Sequence, residues 1–249
     1  MHWLNEKDFI KDHWLSECFQ YDVFRLQTPA LLDDMSCKED RSHISPLEKR
    51  PVLVYTKVPV DRVNLIHSLE DIGFRIIDTN TVLEKPIQIS EVDPQFSASL
   101  RFALPEDVEG VRSVARKGFM FSRFHLDPEI PNETADLVKA GWASNFFAGK
   151  RGDGMIVAVD GEKIIGFLLF IYLDDTLLID LIAVESAYRG RGIAKAIIAF
   201  CQNKLRNFKT IRVGTQLANV PSLRLYHDLG FHISKAFYVL HYHNQPHTP

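Results

Sequence analysis

The chain has 249 residues, 46% of them hydrophobic and 24% charged, which is the balance of a folded globular protein. A net charge of −3 argues against a surface built for nucleic acid or an anionic membrane. The longest apolar run is too short to span a bilayer, the first residues lack the apolar core of a signal peptide, and the three cysteines lie far apart. Membrane insertion, secretion and a disulfide framework are therefore disfavoured, and a cytoplasmic protein is expected.

A polar stretch at residues 88–98 predicts a boundary between two units. The first is a small α/β domain over residues 1–95, in which the charged segment 33–50 is interpreted as a loop or a solvated helix turn. The second is a larger domain over residues 98–249. Hydrophobic periodicity and turn residues predict its elements as a mixed α/β sheet. In chain order these are helices at 105–117 and 134–147, strands at 155–159, 163–173 and 176–184, a helix from 193, a strand at 210–217, a helix at 221–229 and a final hairpin of strands at 231–234 and 236–242.

One short segment of the first unit is echoed in the second. Residues 71–83 (DIGFRIIDTNTVL) and 228–240 (DLGFHISKAFYVL) share six of thirteen positions. Two interpretations stay open. Helix–glycine–strand units look alike in general, or the first unit is a reduced copy of the second.

The most informative segment is a strand, a short loop and a helix over residues 177–194. Gly190 and Gly192 alternate with Arg189 and Arg191 directly before the helix. Backbone N–H groups at a helix start have no partner within the helix, and glycines let an anion approach the backbone closely. The segment therefore predicts a pyrophosphate-binding loop, although it matches neither a P-loop nor a dinucleotide fingerprint.

Residues 184–194 resemble motif A of the GNAT superfamily of acyl-CoA-dependent N-acetyltransferases, with Arg189, Gly192 and Ala194 at the pattern positions. Asn219 and residues 225–231 (LYHDLGF), which include Tyr226, are similar to the closing segment of that family. The resemblance implies the GNAT fold in the second unit, with a smaller unit ahead of it, and acetyl-CoA as co-substrate.

The resemblance also implies roles for individual residues. Asn219 would contact the pantetheine arm or the adjacent backbone, and Tyr226 would protonate the departing thiolate. Asp180 lies where some members place a glutamate base. The alternatives that it is a carboxylate facing solvent or capping a turn, and that the base acts through water or is absent, stay open. The edge of the strand would pair with pantetheine, and the loop amides would hold the pyrophosphate. The residues expected to hold acetyl-CoA are Leu181, Ile182, Ala183, Val184, Arg189, Gly190, Arg191, Gly192, Ile193, Ala194, Asn219 and Tyr226.

Residues 118–124 (GFMFSRF) are similar to a signature of the dTDP-fucosamine N-acetyltransferases, and residues 18–26 and 54–86 resemble the first domain of those enzymes. This similarity implies a nucleotide-linked amino-deoxysugar as acceptor, used in surface polysaccharide synthesis. Two alternatives stay open: acetylation of a protein or small-metabolite amine, and a non-catalytic acyl-CoA-binding module. The residues expected to bind the acceptor are Ser122, Arg123, Phe124 and Gln216.

No metal site is expected. His125 and Asp127 have no third ligand at a fixed spacing, and His241, His243 and His247 are interpreted as an edge strand and a tail. An exposed apolar strand near the C-terminus also leads us to expect a homodimer.

Overall fold

The computed structural model describes residues 6–27, 48, 51–87 and 98–244. Nearly all of the predicted loop at 33–50 and the predicted boundary at 88–98, together with Cys37 and His247, lies outside these residues. The helices are α1 (His13–Phe19), α2 (Val63–Asp71), α3 (Val108–Gly118), α4 (Asn132–Ser144), α5 (Ile193–Lys204) and α6 (Val220–Asp228). The strands are β1 (Phe9–Lys11), β2 (Asp22–Leu26), β3 (Val52–Pro59), β4 (Arg75–Pro86), β5 (Ser99–Phe102), β6 (Gly154–Asp160), β7 (Lys163–Leu173), β8 (Thr176–Val184), β9 (Thr210–Gln216) and β10 (His232–Asn244).

These strands form one sheet in the order β1-β2-β3-β10-β4-β9-β8-β7-β6-β5. The neighbours β2 and β3, and likewise β8 and β9, run parallel, whereas the other neighbouring strands run antiparallel. The predicted mixed α/β class is therefore confirmed. Among the described residues, no helix has the length and apolar character needed to cross a membrane.

The final hairpin of the prediction is wrong, because β10 is one long strand. A register shift near Ser234 bends the strand without reversing it. Strand β10 lies between β3 and β4, so strands from both predicted units share one sheet. Strand β3 pairs with β10 only from Phe237 onward, so the first residues of β10 pair with β4 alone and stay exposed, and the homodimer stays a prediction.

Helices cover both faces of the centre of the sheet. Strand β7 places Phe167 and Leu169 in a core with α3, and Ile165 and Leu168 in a core with α5. Its uninterrupted apolar sequence follows from this burial on both faces. Helix α5 contributes the apolar stripe that its spacing predicts, including Ile197, which is fully buried.

The echoed segments occupy equivalent and adjacent places. In each, a helix ends at a glycine with positive φ, Gly73 (102°) or Gly230 (81°), and a long strand follows. The two strands pair antiparallel. Leu83 pairs with Ile233, and their counterparts in the other segment, Leu240 and Ile76, also pair with each other. A local two-fold relation of this kind is expected from a duplicated helix–strand unit, and duplication stays a prediction.

Candidate active site

The sheet opens between its parallel strands β8 and β9. The strands pair only over their first four residues, ending at Ile179 and Val213. Beyond that point β8 continues beside β7 to Val184, while β9 continues beside β4 to Gln216. The edge of β8 that faces the opening belongs to Leu181, Ile182, Ala183 and Val184, the residues predicted to pair with pantetheine.

A β-bulge marks the place where the strands part. Leu181 pairs with Leu169 and Ile179 pairs with Phe170, so Asp180 has no partner on β7. An extra residue of this kind bends its strand and increases the local twist. The bulge therefore accounts for the separation of β8 from β9 at Asp180.

The loop before α5 has the open backbone that its glycines predict. Gly190 and Gly192 have φ angles of 76° and 80°, which glycine adopts without steric cost. A Cβ built on either residue meets no atom within 4 Å, so the space in front of the loop is free. The first backbone hydrogen bond into α5 runs from Ala196 to Gly192 O. The amides of Ile193 and Ala194 precede it and are available to an anion, as at other helix starts.

The side chains of Arg189 and Arg191 donate hydrogen bonds to backbone carbonyls and so stabilise the loop. Arg189 donates from Nη2 to Gly118 O at 2.8 Å and from Nε to Val184 O at 3.1 Å. Arg191 donates from Nη2 to a carbonyl of the preceding turn at 3.1 Å. The Arg189 amide is also engaged, since it donates to Ser186 O at 3.3 Å. The free amides therefore begin after Arg189, one residue later than predicted.

Asn219 connects β9 to α6. Its side-chain oxygen accepts from the Ser222 amide at 3.3 Å, and its Nδ2 donates to Thr215 Oγ1 at 3.3 Å. These bonds make Asn219 the N-cap of the helix that carries Tyr226. Its predicted contact with the pantetheine stays a prediction.

Tyr226 projects from α6 into the core. Its side chain is 2% exposed, and its ring packs on Phe231 with centroids 5.4 Å apart. Burial raises the pKa of the phenol above its ordinary value. The hydroxyl is therefore protonated in the resting protein but is a weaker acid than a free phenol, and its role as proton donor to the thiolate stays a prediction.

Arg151 holds Asp180 in a bidentate ion pair. Nε lies 2.6 Å from Oδ2, and Nη2 lies 2.7 Å from Oδ1. The guanidinium also lies over the Trp142 ring, 4.7 Å from its centroid. Arg151 belongs to no sequence motif, and sequence reasoning missed it. Because Arg151 occupies both oxygens of Asp180, the carboxylate is anchored, and its role as a base stays a prediction.

A cavity of about 690 Å³ lies where strands of the first unit meet α4 and the end of β9. Its volume is in the range of small-molecule sites. A second cavity, of about 720 Å³, lies near the start of α3 and contains none of the predicted site residues. We call the cavity of about 690 Å³ the acceptor cavity. Its lining includes the four predicted acceptor residues Ser122, Arg123, Phe124 and Gln216, together with Arg25, Tyr55, Lys57, Asn80, Lys139 and Trp142.

The acceptor cavity is cationic. It is lined by Arg25, Lys57, Arg123 and Lys139, and no carboxylate of a described residue lines it. Lys139 is 8% exposed, and its ammonium lies 4.4 Å from the centroid of Trp142. Burial, with the Arg123 charge as a further cause, lowers the pKa of Lys139 to about 7 and that of Lys57 to about 8. Asp78 opposes the shift of Lys57 and Asp180 that of Lys139, but only in part, so an anion bound in the cavity would stabilise the charged lysines.

Aromatic rings hold the Arg123 guanidinium in place. It lies 3.7 Å from the centroid of Tyr55 and 4.6 Å from that of Phe124. The Tyr55 hydroxyl in turn donates to Asp12 Oδ2 at 2.8 Å. Phe124 is fully buried and lines the cavity, and its ring packs against the Arg123 guanidinium. Its predicted contact with the acceptor stays a prediction.

A chain of three side chains begins at the cavity wall. Ser122 Oγ lies 2.6 Å from His125 Nδ1, and His125 Nε2 lies 3.1 Å from Asp136 Oδ1. The backbone amide of His125 also donates to Ser122 O, which closes a tight turn. Sequence reasoning placed Ser122 in the acceptor site and missed its connection to Asp136.

A second polar cluster lies in the core between β10 and the turn that carries Asp127. His241 Nδ1 and His243 Nε2 lie 2.5 Å and 2.8 Å from the same Asp127 oxygen. Burial lowers the pKa of His241 to about 4, so the neutral imidazole donates its single proton to Asp127. The interpretation of these histidines as an edge strand was wrong, because β10 is an interior strand. The ligand-type atoms of these three residues lie within 4.8 Å of one another, and His241 Nε2 and His243 Nδ1 have no hydrogen-bond partner among the described residues, so the expected absence of a metal site stays a prediction.

Comparisons with known proteins concern mainly the second unit. The model of the acetyltransferase (GNAT) family matches residues 120–231. A spore coat polysaccharide biosynthesis protein, SpsD, from Bacillus subtilis (strain 168) is 27% identical over 191 residues, which cover 76% of this chain and 65% of that protein. An N-acetylaspartate synthetase from Danio rerio is 27% identical over 141 residues, which cover 54% of this chain and 46% of that protein. The chain thus spans less than two thirds of the length of either relative.

The fold has solved counterparts. A GCN5-related N-acetyltransferase from Sphaerobacter thermophilus superposes with a TM-score of 0.57 at 19% identity. The match covers 83% of this chain and 64% of that structure. At this level of identity the likeness concerns the fold, and it extends beyond residues 120–231 into the first unit.

Proposed function

We propose that this chain, whose residues 120–231 match the model of the acetyltransferase (GNAT) family, transfers the acetyl group of acetyl-CoA to the amine of a nucleotide-linked amino-deoxysugar. The acceptor would be a dTDP- or UDP-linked sugar. The single observation that carries the acceptor class is the cationic cavity, which adjoins the opening between β8 and β9 through Gln216.

The opening between β8 and β9 supports the acetyl-CoA part of the proposal. The free edge of β8 can pair with the pantetheine amides as an added strand would. The amides that follow Arg189, with Gly190 and Gly192, offer the pyrophosphate an approach that no side chain obstructs. The thioester would then lie near the bulge at Asp180, between α6 and the acceptor cavity.

Direct transfer from acetyl-CoA to the amine is favoured over an acyl-enzyme. Burial raises the pKa of Cys18 to about 11 and raises that of Cys201 further above its ordinary range. Both thiols therefore stay protonated and are poor nucleophiles. Tyr226 would supply the proton that the thiolate takes as CoA departs.

The chemistry of the cavity supports an acceptor that carries a diphosphate. Arginine binds phosphate oxygens through paired N–H donors, and lysine adds a point charge. Arg123 is fixed by two aromatic rings, and Lys139 and Lys57 flank it in the same cavity. An aromatic wall that includes Tyr55 and Trp142 suits a sugar or base ring. The name of the Bacillus subtilis relative places that protein in polysaccharide synthesis, which agrees with an amino-sugar acceptor.

A second candidate is a small amine that carries carboxylates. The same cations would bind carboxylates, and the Danio rerio relative is named for the synthesis of N-acetylaspartate. A molecule the size of aspartate would fill only part of a cavity of about 690 Å³, so the sugar nucleotide is the better match. Basic peptides and polyamines are disfavoured because their charge has the same sign as the cavity.

The test is release of CoA thiol from acetyl-CoA with a panel of acceptors. The panel contains dTDP- and UDP-linked 3-amino and 4-amino deoxysugars, aspartate, a lysine peptide and a polyamine. We expect saturable turnover with one of the sugar nucleotides. Turnover with aspartate alone would select the second candidate, and turnover with the peptide or polyamine alone would overturn the proposed acceptor class. Acetyl-CoA binding with no turnover on any acceptor would favour a binding module.

A further inference from the structure

We propose that Ser122, His125 and Asp136 form a proton relay that removes the proton from the attacking amine and carries it toward solvent. The inference rests on the proposed N-acetyltransfer, and it assigns the general-base function to residues other than Asp180. Ser122 would touch the acceptor, whereas His125 and Asp136 would act through it.

Hydrogen-bond chemistry fixes the direction of the relay. An ionised carboxylate only accepts hydrogen bonds, so Asp136 Oδ1 requires a proton on His125 Nε2. In the neutral imidazole this leaves a lone pair on Nδ1, which lies 2.6 Å from Ser122 Oγ. The serine hydroxyl therefore donates to His125, and its own lone pairs are available to a proton from the cavity. This is the tautomer that a relay from the cavity toward Asp136 needs.

Solvent exposure increases from Ser122 through His125 to Asp136, the direction in which the proton would move. Ser122 is 3% exposed and lines the acceptor cavity. The side chain of His125 is 7% exposed, and that of Asp136 is 34% exposed. A proton taken up at the cavity wall would thus reach a carboxylate in contact with water after two hydrogen bonds.

Asp180 is less suited to accept the proton. Arg151 binds both of its oxygens, at 2.6 Å and 2.7 Å, so a proton would have to displace a charge-assisted hydrogen bond. Lys57, Arg123 and Lys139 in the cavity wall also favour deprotonation of a bound ammonium, since they repel its charge. The wall of the cavity therefore both lowers the proton affinity of the amine and provides a separate acceptor at Ser122.

The proposed step balances as follows. The amine lone pair forms the C–N bond to the thioester carbonyl, whose π electrons move onto the oxygen. The proton on the amine nitrogen passes to Ser122 Oγ while the hydroxyl proton of Ser122 passes to His125 Nδ1, which gives an imidazolium paired with Asp136. The oxyanion re-forms the carbonyl, the C–S bond breaks, and the thiolate takes the proton of Tyr226. Solvent then removes one proton from the imidazolium, and one proton is returned to Tyr226.

The experiment compares wild-type protein with the variants Ser122→Ala and His125→Gln, using an acceptor of the panel on which wild type turns over. We expect kcat to fall by about 100-fold in each variant, the usual scale of general-base catalysis. Acetyl-CoA affinity should stay unchanged. The matched control is Ser144→Ala, which removes a hydroxyl bonded to Ala140 O on α4 outside the cavity lining. It should keep the wild-type rate.

The proton inventory separates the relay from a structural role. In mixtures of H₂O and D₂O, the relay predicts a curved dependence of kcat in wild type, because two protons move together, and a straighter one in both variants. Imidazole should also restore part of the activity of His125→Ala. Variants with wild-type rates, or slower variants that keep the wild-type curve and show no rescue, would overturn the relay. Absence of turnover on the sugar nucleotides with turnover on another acceptor would count against the proposed acceptor alone.

Discussion

The two halves of the candidate site are built in different ways. The half proposed for acetyl-CoA lies mainly in one stretch of chain, from the bulge at Asp180 to the start of α5, to which Asn219 and Tyr226 are added, and its glycines leave open space in front of the backbone. The acceptor cavity combines side chains from β2, β3, β4, β9, α4 and the turn around Arg123. One half offers backbone amides to a common co-substrate. The other offers a composite of charged side chains, and specificity is expected to reside there.

Blocking the glycine loop before α5 should have the largest effect, because it should weaken acetyl-CoA binding. In Gly192→Val, a branched side chain would occupy a residue with φ of 80° and fill the space before the loop. Loss of two charge-assisted hydrogen bonds at about 1.5–3 kcal/mol each corresponds to roughly 1,000-fold weaker acetyl-CoA binding. Isothermal titration checks the affinity. The matched control Gly149→Val also replaces a glycine with positive φ (66°) and open space around it, in the turn after α4, and should bind acetyl-CoA normally. Normal binding by Gly192→Val would contradict the loop assignment.

Removing the proposed acid should affect the reaction and not the binding of either ligand. Tyr226→Phe keeps the packing on Phe231 and removes only the hydroxyl. We expect kcat to fall roughly 100-fold, with the acetyl-CoA affinity unchanged. Steady-state kinetics and titration test this. Tyr172→Phe, a ring that packs on Phe170 outside the candidate site, is the control. Unchanged turnover in Tyr226→Phe would remove Tyr226 from the mechanism.

A substitution in the acceptor cavity should change KM for the sugar nucleotide more than KM for acetyl-CoA. Arg123→Ala should raise KM for the sugar nucleotide by about 10- to 100-fold, the scale of one charge-assisted contact. KM for acetyl-CoA should change little, because Arg123 lies in the acceptor cavity. Arg206→Ala, which removes a guanidinium bonded to the carbonyls of Asn203 and Leu205 at the C-terminal end of α5, serves as the control. Equal effects on both KM values would end the assignment of Arg123 as an acceptor contact.

The smallest expected effect is a pH dependence of acceptor binding. Burial lowers the pKa of Lys139 to about 7 and that of Lys57 to about 8, so these ammonium groups lose their charge as the pH rises through those values. Arg123 and Arg151 favour this loss, and Asp180 opposes it for Lys139. An anion binds the charged forms better, so affinity should fall by about tenfold between pH 7 and 9.

Titration with dTDP-glucose measures this dependence, because that ligand has no amine and its diphosphate keeps its charge over the range. Lys57→Met should flatten the part of the curve near pH 8. Lys163→Met, which removes an exposed lysine paired with Glu185, should leave the curve unchanged. Affinity that stays constant or rises with pH would contradict a cationic diphosphate site.

The sequence predicts the local structure of residues 177–194 well because its signals are local, whereas acetyl-CoA binding by these residues stays a prediction. Strand, glycine loop and helix follow one another, and the structure places residues 181–194 at the opening of the sheet as expected. The apolar pattern of β7, β8 and α5 likewise predicts their positions closely. One detail differs from the prediction. The Arg189 amide donates to Ser186 O, so the amides available to an anion begin after Arg189.

The features that the sequence does not predict depend on contacts between residues that lie far apart in the chain. No spacing rule connects Arg151 to Asp180, or Asp127 to His241, because the sheet brings these residues together across 29 and 114 positions. Strand β10 was predicted as a hairpin because local turn residues do not reveal that β3 and β4 flank it. The cationic character of the cavity was only partly foreseen, since Lys57 and Lys139 carry no motif of their own.

The most direct test of the central claim compares two acceptors that differ only in the nucleotide diphosphate. The ratio of kcat/KM for the nucleotide-linked amino sugar to that for the free amino sugar is measured in wild type and in Arg123→Ala. The account predicts a wild-type ratio of roughly 100 or more, the scale of at least one or two charge-assisted contacts, and a clear fall in the variant. A free amino sugar that reacts as efficiently as its nucleotide-linked form in the wild-type protein would contradict it.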